Sequence, residues 1–141
     1  MNFARLAFVV SFSAVVFAGA ARADDTLWQD MGGVDAIKKI ASDTTDNFLA
    51  DPRIKATFDN TNMDRFRVLL ADQFCVVAGG PCTYTGRTMK DTHKGLHLGN
   101  ADFNAVVEDL QKAMGKNGVS FATQNRFLAR LAPMQHDIVT K

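Results

Sequence analysis

Tyr84-Thr85-Gly86-Arg87-Thr88-Met89-Lys90-Asp91-Thr92-His93-Lys94-Gly95 is the stretch on which the reading of this chain turns. Its first half, Cys82–Arg87, is irregular and follows a firm helix stop at Gly79-Gly80-Pro81. Its second half, Thr88–Lys94, predicts a helix of little more than one turn, ended by Gly95. One imidazole, His93, sits on that short helix between flexible loops. A neutral imidazole so placed is a ready metal ligand, and the plainer alternative is a surface or core histidine with no ligand at all. His97 stands four residues on, a spacing that suits zinc on a continuous helix, but Gly95 interrupts it and no H-E-x-x-H glutamate or third ligand accompanies the pair. His136, near the end, is expected to face solvent.

Outward from this stretch the chain reads as helices. A stripe of Val34, Ile37, Ile40, Ala41, Thr44, Thr45, Phe48 and Leu49 has helical period and ends at Asp51-Pro52, since proline disfavours helical geometry in the residue before it. Asn62 is a candidate N-cap for a helix with Met63, Phe66, Leu69, Leu70, Gln73, Phe74 and Val77 on one face. Asn100–Asp102 can cap a third, with Phe103, Val106, Val107, Leu110, Ala113 and Met114 inward and Gly115 and Gly118 as breakers. Ser120 can cap a fourth, with Phe121, Gln124, Leu128, Leu131 and Ile138 inward. Thr26–Met31 predicts one further turn before Gly32-Gly33. There is no convincing alternating strand and no internal repeat, so the fold class is all-α.

The first 23 residues read as a leader. Met1–Arg5 is basic, Leu6–Phe17 is almost wholly apolar, and Ala21-Arg22-Ala23 puts small residues where a signal peptidase cuts. The apolar run is short for a bilayer span, which disfavours an N-terminal anchor. Residues 1–23 are therefore expected to be a signal peptide and 24–141 one domain, in a periplasmic or secreted protein. Arg5 and Arg22 leave with the leader, and 14 basic residues face 15 acidic ones. That balance, without a basic stripe interleaved with aromatics, excludes nucleic acid as a partner and calls for no membrane surface after cleavage. Cys75 and Cys82 could pair in an oxidising compartment, with Gly79-Gly80-Pro81 turning the chain back; two free thiols are the alternative. No C-x-x-C-H haem-attachment motif, phosphate loop or G-x-S-x-G elbow is present. Asp43, Asp46, Asp72 and Asp109 look like carboxylates on solvated helix faces, with no acid–base pair among them.

Several pieces, in this order, resemble one family. Leu27-x4-Gly32-Gly33, Leu49-Ala50-Asp51-Pro52-Arg53-Ile54, Phe58, Met63, Gly79-Gly80-Pro81, the Tyr84–His93 stretch, Phe103-x2-Val106-Val107-x2-Leu110 and Pro133-x3-Asp137-Ile138-Val139 are similar to the truncated haemoglobins, nearest to group I. The resemblance covers about Leu27 to Val139. It implies a two-over-two helical sandwich around a non-covalent haem b, with the proximal helix reduced to about one turn. It implies His93 as the iron ligand, its second ring nitrogen held by the backbone. Phe58 resembles the phenylalanine packed on the haem face, and Tyr84, Arg87 and Met89 the proximal lining, Arg87 beside a propionate. Phe66, Leu70, Phe74 and Val106 are implied as further wall residues.

The far side of the implied pocket departs from the family. Group I proteins usually place a tyrosine on the first long helix and glutamines on the next, where this chain has Thr45, with Thr44 beside it, and Phe66 and Leu70. Leu69 stands where some relatives place a second histidine. The distal residues are then Thr45, Phe66, Leu69, Leu70 and Gln73; Thr45 and Gln73 either reach in or simply pack, Thr45 bonding its own preceding turn. Three functions remain open at this point. One is reversible capture of O2, NO or CO at a His-ligated iron. Another is nitric-oxide or peroxide detoxification with electrons from an external reductant, which the distal residues disfavour. The third is a haem-free helical interaction module.

Overall fold

Local chemistry sets most helix boundaries in the computed structural model, which describes residues 26–141. The leader expected over 1–23 lies outside the described residues. Helix α1, Leu27–Asp30, is one turn. Helix α2, Gly33–Ala50, ends at Asp51, whose backbone turns extended before Pro52. A 3₁₀ turn, Lys55–Phe58, leads to α3, Met63–Val77, where Asn62 Oδ1 accepts the Arg65 backbone N–H at 3.0 Å. Helix α4, Met89–His93, is a single turn capped by Thr88, whose hydroxyl oxygen accepts the Asp91 N–H. Helix α5, Asn100–Lys116, is capped from within, Asp102 Oδ2 accepting the Gly99 N–H at 2.8 Å. Helix α6, Phe121–Leu131, starts at Ser120 and continues through a 3₁₀ turn into α7, Gln135–Ile138.

Helix α2 packs chiefly on α3 and α5, while α6 closes over α1, α3 and α5. The main core lies among α1, α2, α3, α5 and α6, with Leu27, Ile37, Ile40, Met114 and Phe127 fully enclosed. Phe127 meets Phe74 edge to face at 5.3 Å. A second, smaller apolar cluster gathers Phe48, Ile54 and Ala105 with Phe58, Phe66, Leu70 and Val106. The foot of α2 is pinned by Asp51, whose carboxylate takes Arg53 Nη2 at 2.6 Å, while Arg53 Nη1 reaches Glu108 at 2.8 Å. That guanidinium holds the Asp51 carboxyl down at about 2.

Cys75 and Cys82 are joined in a disulfide with Cα atoms 5.9 Å apart. Gly80 makes room for it: a Cβ there would sit 2.7 Å from Cys75 Sγ and 3.0 Å from the Cys75 carbonyl oxygen.

Three expectations about the helices are corrected. Phe121 does not face inward; it is 80% exposed, and α6 buries Thr123, Gln124 and Phe127 instead. Its rotational phase follows the Phe74–Phe127 contact, and Ser120 as N-cap leaves the next residue outside. Gly115 does not break α5, which runs on to Lys116; glycine inside a helix costs only about 1 kcal/mol, and its neighbours Ala113 and Met114 are buried. Asp109 is not on a solvated face: it is 1% exposed, with Oδ1 accepting Lys112 Nζ at 2.8 Å. Its backbone carbonyl accepts Asn47 Nδ2 at 2.9 Å, which ties α5 to α2. Among the described residues no helix is long and apolar enough to cross a membrane.

Candidate functional site

A cavity of about 490 Å³ opens between α3, α5, the 84–89 segment and α4. A second lobe of about 260 Å³ adjoins it, and His93, Phe58, Phe66, Arg87, Phe103 and Val106 line both. The two lobes form one slot with an imidazole on its wall. The combined size falls within the range of sites that bury a small organic cofactor.

His93 is held by its own helix. Its Nδ1 lies 2.7 Å from the Met89 carbonyl oxygen. A carbonyl can only accept, so Nδ1 is the donor in this contact and Nε2 is the nitrogen left to meet a metal. The imidazole is thereby oriented, with Nε2 as its free corner. Among the described residues no cluster of three His, Cys, Asp or Glu side chains exists that would hold a bare metal ion with it.

The far end of the slot is aromatic. Phe58 stacks on Phe48 with centroids 5.5 Å apart and meets Phe66 edge-on at 5.4 Å. Leu69, Leu70 and, one helical turn on, Phe74 continue that wall along α3, and Val106 and Phe103 face them from α5. The opposite side is shaped by the turn at 84–87. Tyr84 Oη donates to the Arg87 carbonyl at 2.9 Å, and burial pushes its hydroxyl pKa up against a smaller lowering by Arg87. A Cβ at Gly86 would run into the Tyr84 ring and hydroxyl, so a side chain there would have to displace that ring.

The structure thus brings Phe58, Phe66, Leu69, Leu70, Gln73, Phe74, Tyr84, Arg87, Met89, His93 and Val106 to one cavity. Thr45 is the exception. It is fully buried outside the cavity lining, and its hydroxyl donates to the Ala41 carbonyl at 2.8 Å, as Thr44 does to Ile40 at 2.7 Å. Both α2 hydroxyls are satisfied by the preceding turn. Gln73 does line the cavity, but its Nε2 is directed at Met89 Sδ, 3.1 Å away, and lies 3.8 Å from Met134 Sδ.

Sequence reasoning missed Arg65, which lines the slot and, like Arg87, is exposed and forms no ion pair among the described residues. It precedes Leu69 by four, so it shares that face of α3. A flat apolar slot, one oriented nitrogen donor and two free guanidiniums at the rim fit a planar metallated ring that carries carboxylates.

A helical sandwich with such a slot is the architecture of a two-over-two globin. The sequence matches the description of the bacterial-like globin family over residues 26–140. A group 1 truncated hemoglobin of Tetrahymena pyriformis is 32% identical over 116 residues, covering 82% of this chain and 96% of that protein. Another from Mycolicibacterium paratuberculosis is 30% identical, covering 82% and 85%. The crystal structure of the Tetrahymena pyriformis truncated hemoglobin in its Fe(III) form superposes with a TM-score of 0.79 at 31% identity, over 82% of this chain and 98% of that one. The chain belongs to the bacterial-like globin family and is a truncated globin.

Proposed function

We propose that the protein is a haem-binding globin in which His93 ligates the iron and the slot admits a diatomic gas. The observation that carries this reading is the imidazole: Nδ1 fixed on Met89 O at 2.7 Å, Nε2 left unbonded, on a cavity whose walls are mostly apolar. When bound, haem iron supplies an open coordination position for O2, NO or CO. The protein's own contribution is orientation and shelter. The Met89 carbonyl fixes the tautomer and plane of the imidazole and raises its basicity. Phe58, Phe66, Leu70 and Phe74 would keep water from the bound group. Arg65 and Arg87, which form no ion pair among the described residues, would hold its carboxylates.

The far wall offers shape without a directed donor. Phe66, Leu69 and Leu70 have none, Thr45 donates to Ala41, and Gln73 donates to a thioether. Bound O2, the ligand that gains most from a distal donor, would therefore leave fast, which suits capture and release better than turnover. The protein acts in an oxidising compartment outside the cytoplasm. The leader-like residues 1–23 support this, as does a disulfide within the domain.

Visible absorption spectra of the purified protein and of His93→Ala, oxidised, reduced and CO-bound, test the assignment. The wild type is expected to show haem bands that His93→Ala loses and that added imidazole restores. Identical spectra in the two proteins would place the ligand elsewhere. Export is tested by the mass of the protein recovered from a periplasmic fraction, which is expected to begin at Asp24; an intact Met1 would overturn it.

A further inference from the structure

We propose that the Cys75–Cys82 disulfide is a redox site: a dithiol opens it through Cys82, and opening frees the wall segment 82–88 and accelerates loss of the cofactor. The cofactor part rests on the haem reading above.

The bond joins the two walls of the slot. Cys75 follows Gln73 and Phe74, which line the cavity from α3. Cys82 lies two residues before Tyr84, where the opposite wall begins. That wall has few other anchors. Among the described residues, no backbone–backbone hydrogen bond links residues 81–87 to another element; the nearest are Gly80 N–H to Cys75 O on one side and Thr92 N–H to Thr88 O on the other. Tyr84 Oη bonds within the segment, to Arg87. Pro81, Thr83, Thr85, Arg87 and Thr88 are exposed, so little apolar burial holds the segment down. Among the described residues, the side-chain hydrogen bond from α3 across to α4 is Gln73 to Met89, an amide on a thioether, which is a weak acceptor. The segment runs directly into α4, whose Met89 carbonyl orients His93. Freedom gained at Cys82 is thus delivered to the iron ligand.

The two sulfurs differ in access. Cys75 is 1% exposed and packed in the core, while Cys82 is only partly covered. A thiolate of the dithiol attacks Cys82 Sγ; the Cys75–Cys82 bond breaks, and Cys75 Sγ leaves and takes up a proton. The dithiol's second sulfur then displaces Cys82 from the mixed disulfide. Cys75 and Cys82 end as two thiols, reduced by two electrons, and the dithiol ends as its own disulfide.

The test compares haem-loaded protein, in the ferrous CO form throughout, before and after dithiothreitol, with Cys75→Ala/Cys82→Ala as the permanently open form. Transfer of haem to excess apomyoglobin is expected to quicken by about tenfold or more in both open forms, because the wall is no longer preorganised. In haem-free protein, the Asp91 and Thr92 amide hydrogens, which bond to Thr88, are expected to exchange faster once the bond is reduced. Glutathione, used as the attacking thiol and trapped by alkylation, is expected on Cys82. Equal haem transfer in wild type with the disulfide intact and with its opening verified by mass overturns the proposal, whatever the double variant does. An adduct confined to Cys75 overturns the direction of attack. If the oxidised protein takes up no haem, the haem reading fails and the cofactor part falls with it; the exchange of the Asp91 and Thr92 amides then decides the tether alone, and an unchanged rate sinks that too.

Discussion

Replacing Thr45 with valine separates two accounts of the far wall. The Thr45 hydroxyl donates to the Ala41 carbonyl at 2.8 Å, inside a fully buried position on α2. Valine keeps the branched shape and removes that bond, worth about 1 kcal/mol net. The Ala41 carbonyl keeps its ordinary helical partner four residues on, so no acceptor is orphaned. The new methyl returns about 0.8 kcal/mol of apolar burial, and valine and threonine have similar helix propensity. The net change in stability is expected within about 1 kcal/mol of zero. Ligand dissociation should change by less than about twofold, because the hydroxyl never faces the cavity. Had it pointed inward, losing a hydrogen bond of about 1–1.5 kcal/mol would speed dissociation roughly tenfold. Urea unfolding and stopped-flow release of O2 and CO from the haem-loaded variant measure both quantities. A tenfold faster release at unchanged stability would refute the placement of this side chain.

Gly80→Ala puts a Cβ 2.7 Å from Cys75 Sγ and 3.0 Å from the Cys75 carbonyl oxygen, and neither the bridge nor the backbone can yield freely. A loss of about 1–3 kcal/mol in urea unfolding is expected; an unchanged midpoint would show that the 79–82 turn is loosely held. Asp51 predicts an acid limb of stability. Its folded value is held at about 2, against an ordinary 3.8, chiefly by hydrogen bonds from Arg53. The stabilisation is fully present above the ordinary value and disappears as pH falls through about 2. Asp51→Asn is expected to flatten the stability profile across that interval, and an unaltered slope would mean that the Arg53 contact contributes nothing.

Helix ends were legible because each depends on one or two neighbouring residues. Asp51-Pro52, Asn62, Gly79-Gly80-Pro81 and Ser120 all act where the sequence places them. Rotational phase was less legible. On α6 the expected inward residues Gln124, Leu128 and Leu131 do turn inward, but Phe121 points out, and it is Phe127, held by the partner ring Phe74, that enters the core. Asp109 escaped notice for a similar reason: its cover comes from Lys112 on its own helix and from the face of α2 that carries Asn47.

The candidate site shows where such reading stops. An apolar stripe says which side of a helix turns inward, but not whether inward means core or cavity. Helix α3 does both: Ala71, Cys75 and Ala78 enter the core, while Phe66, Leu69, Leu70 and Gln73 face the slot, and Phe74 belongs to each. Val68 and Val76, 61% and 42% exposed, mark its outer side. The list of wall residues was therefore recoverable from the stripe together with the family resemblance, whereas hydroxyl and amide directions were not. Thr45 and Gln73 occupy positions consistent with a polar far wall, yet one donates to its own helix and the other to methionine sulfur. Rotamers settled by packing leave that wall without a directed donor, and that absence of direction, more than composition, favours quick release over retention.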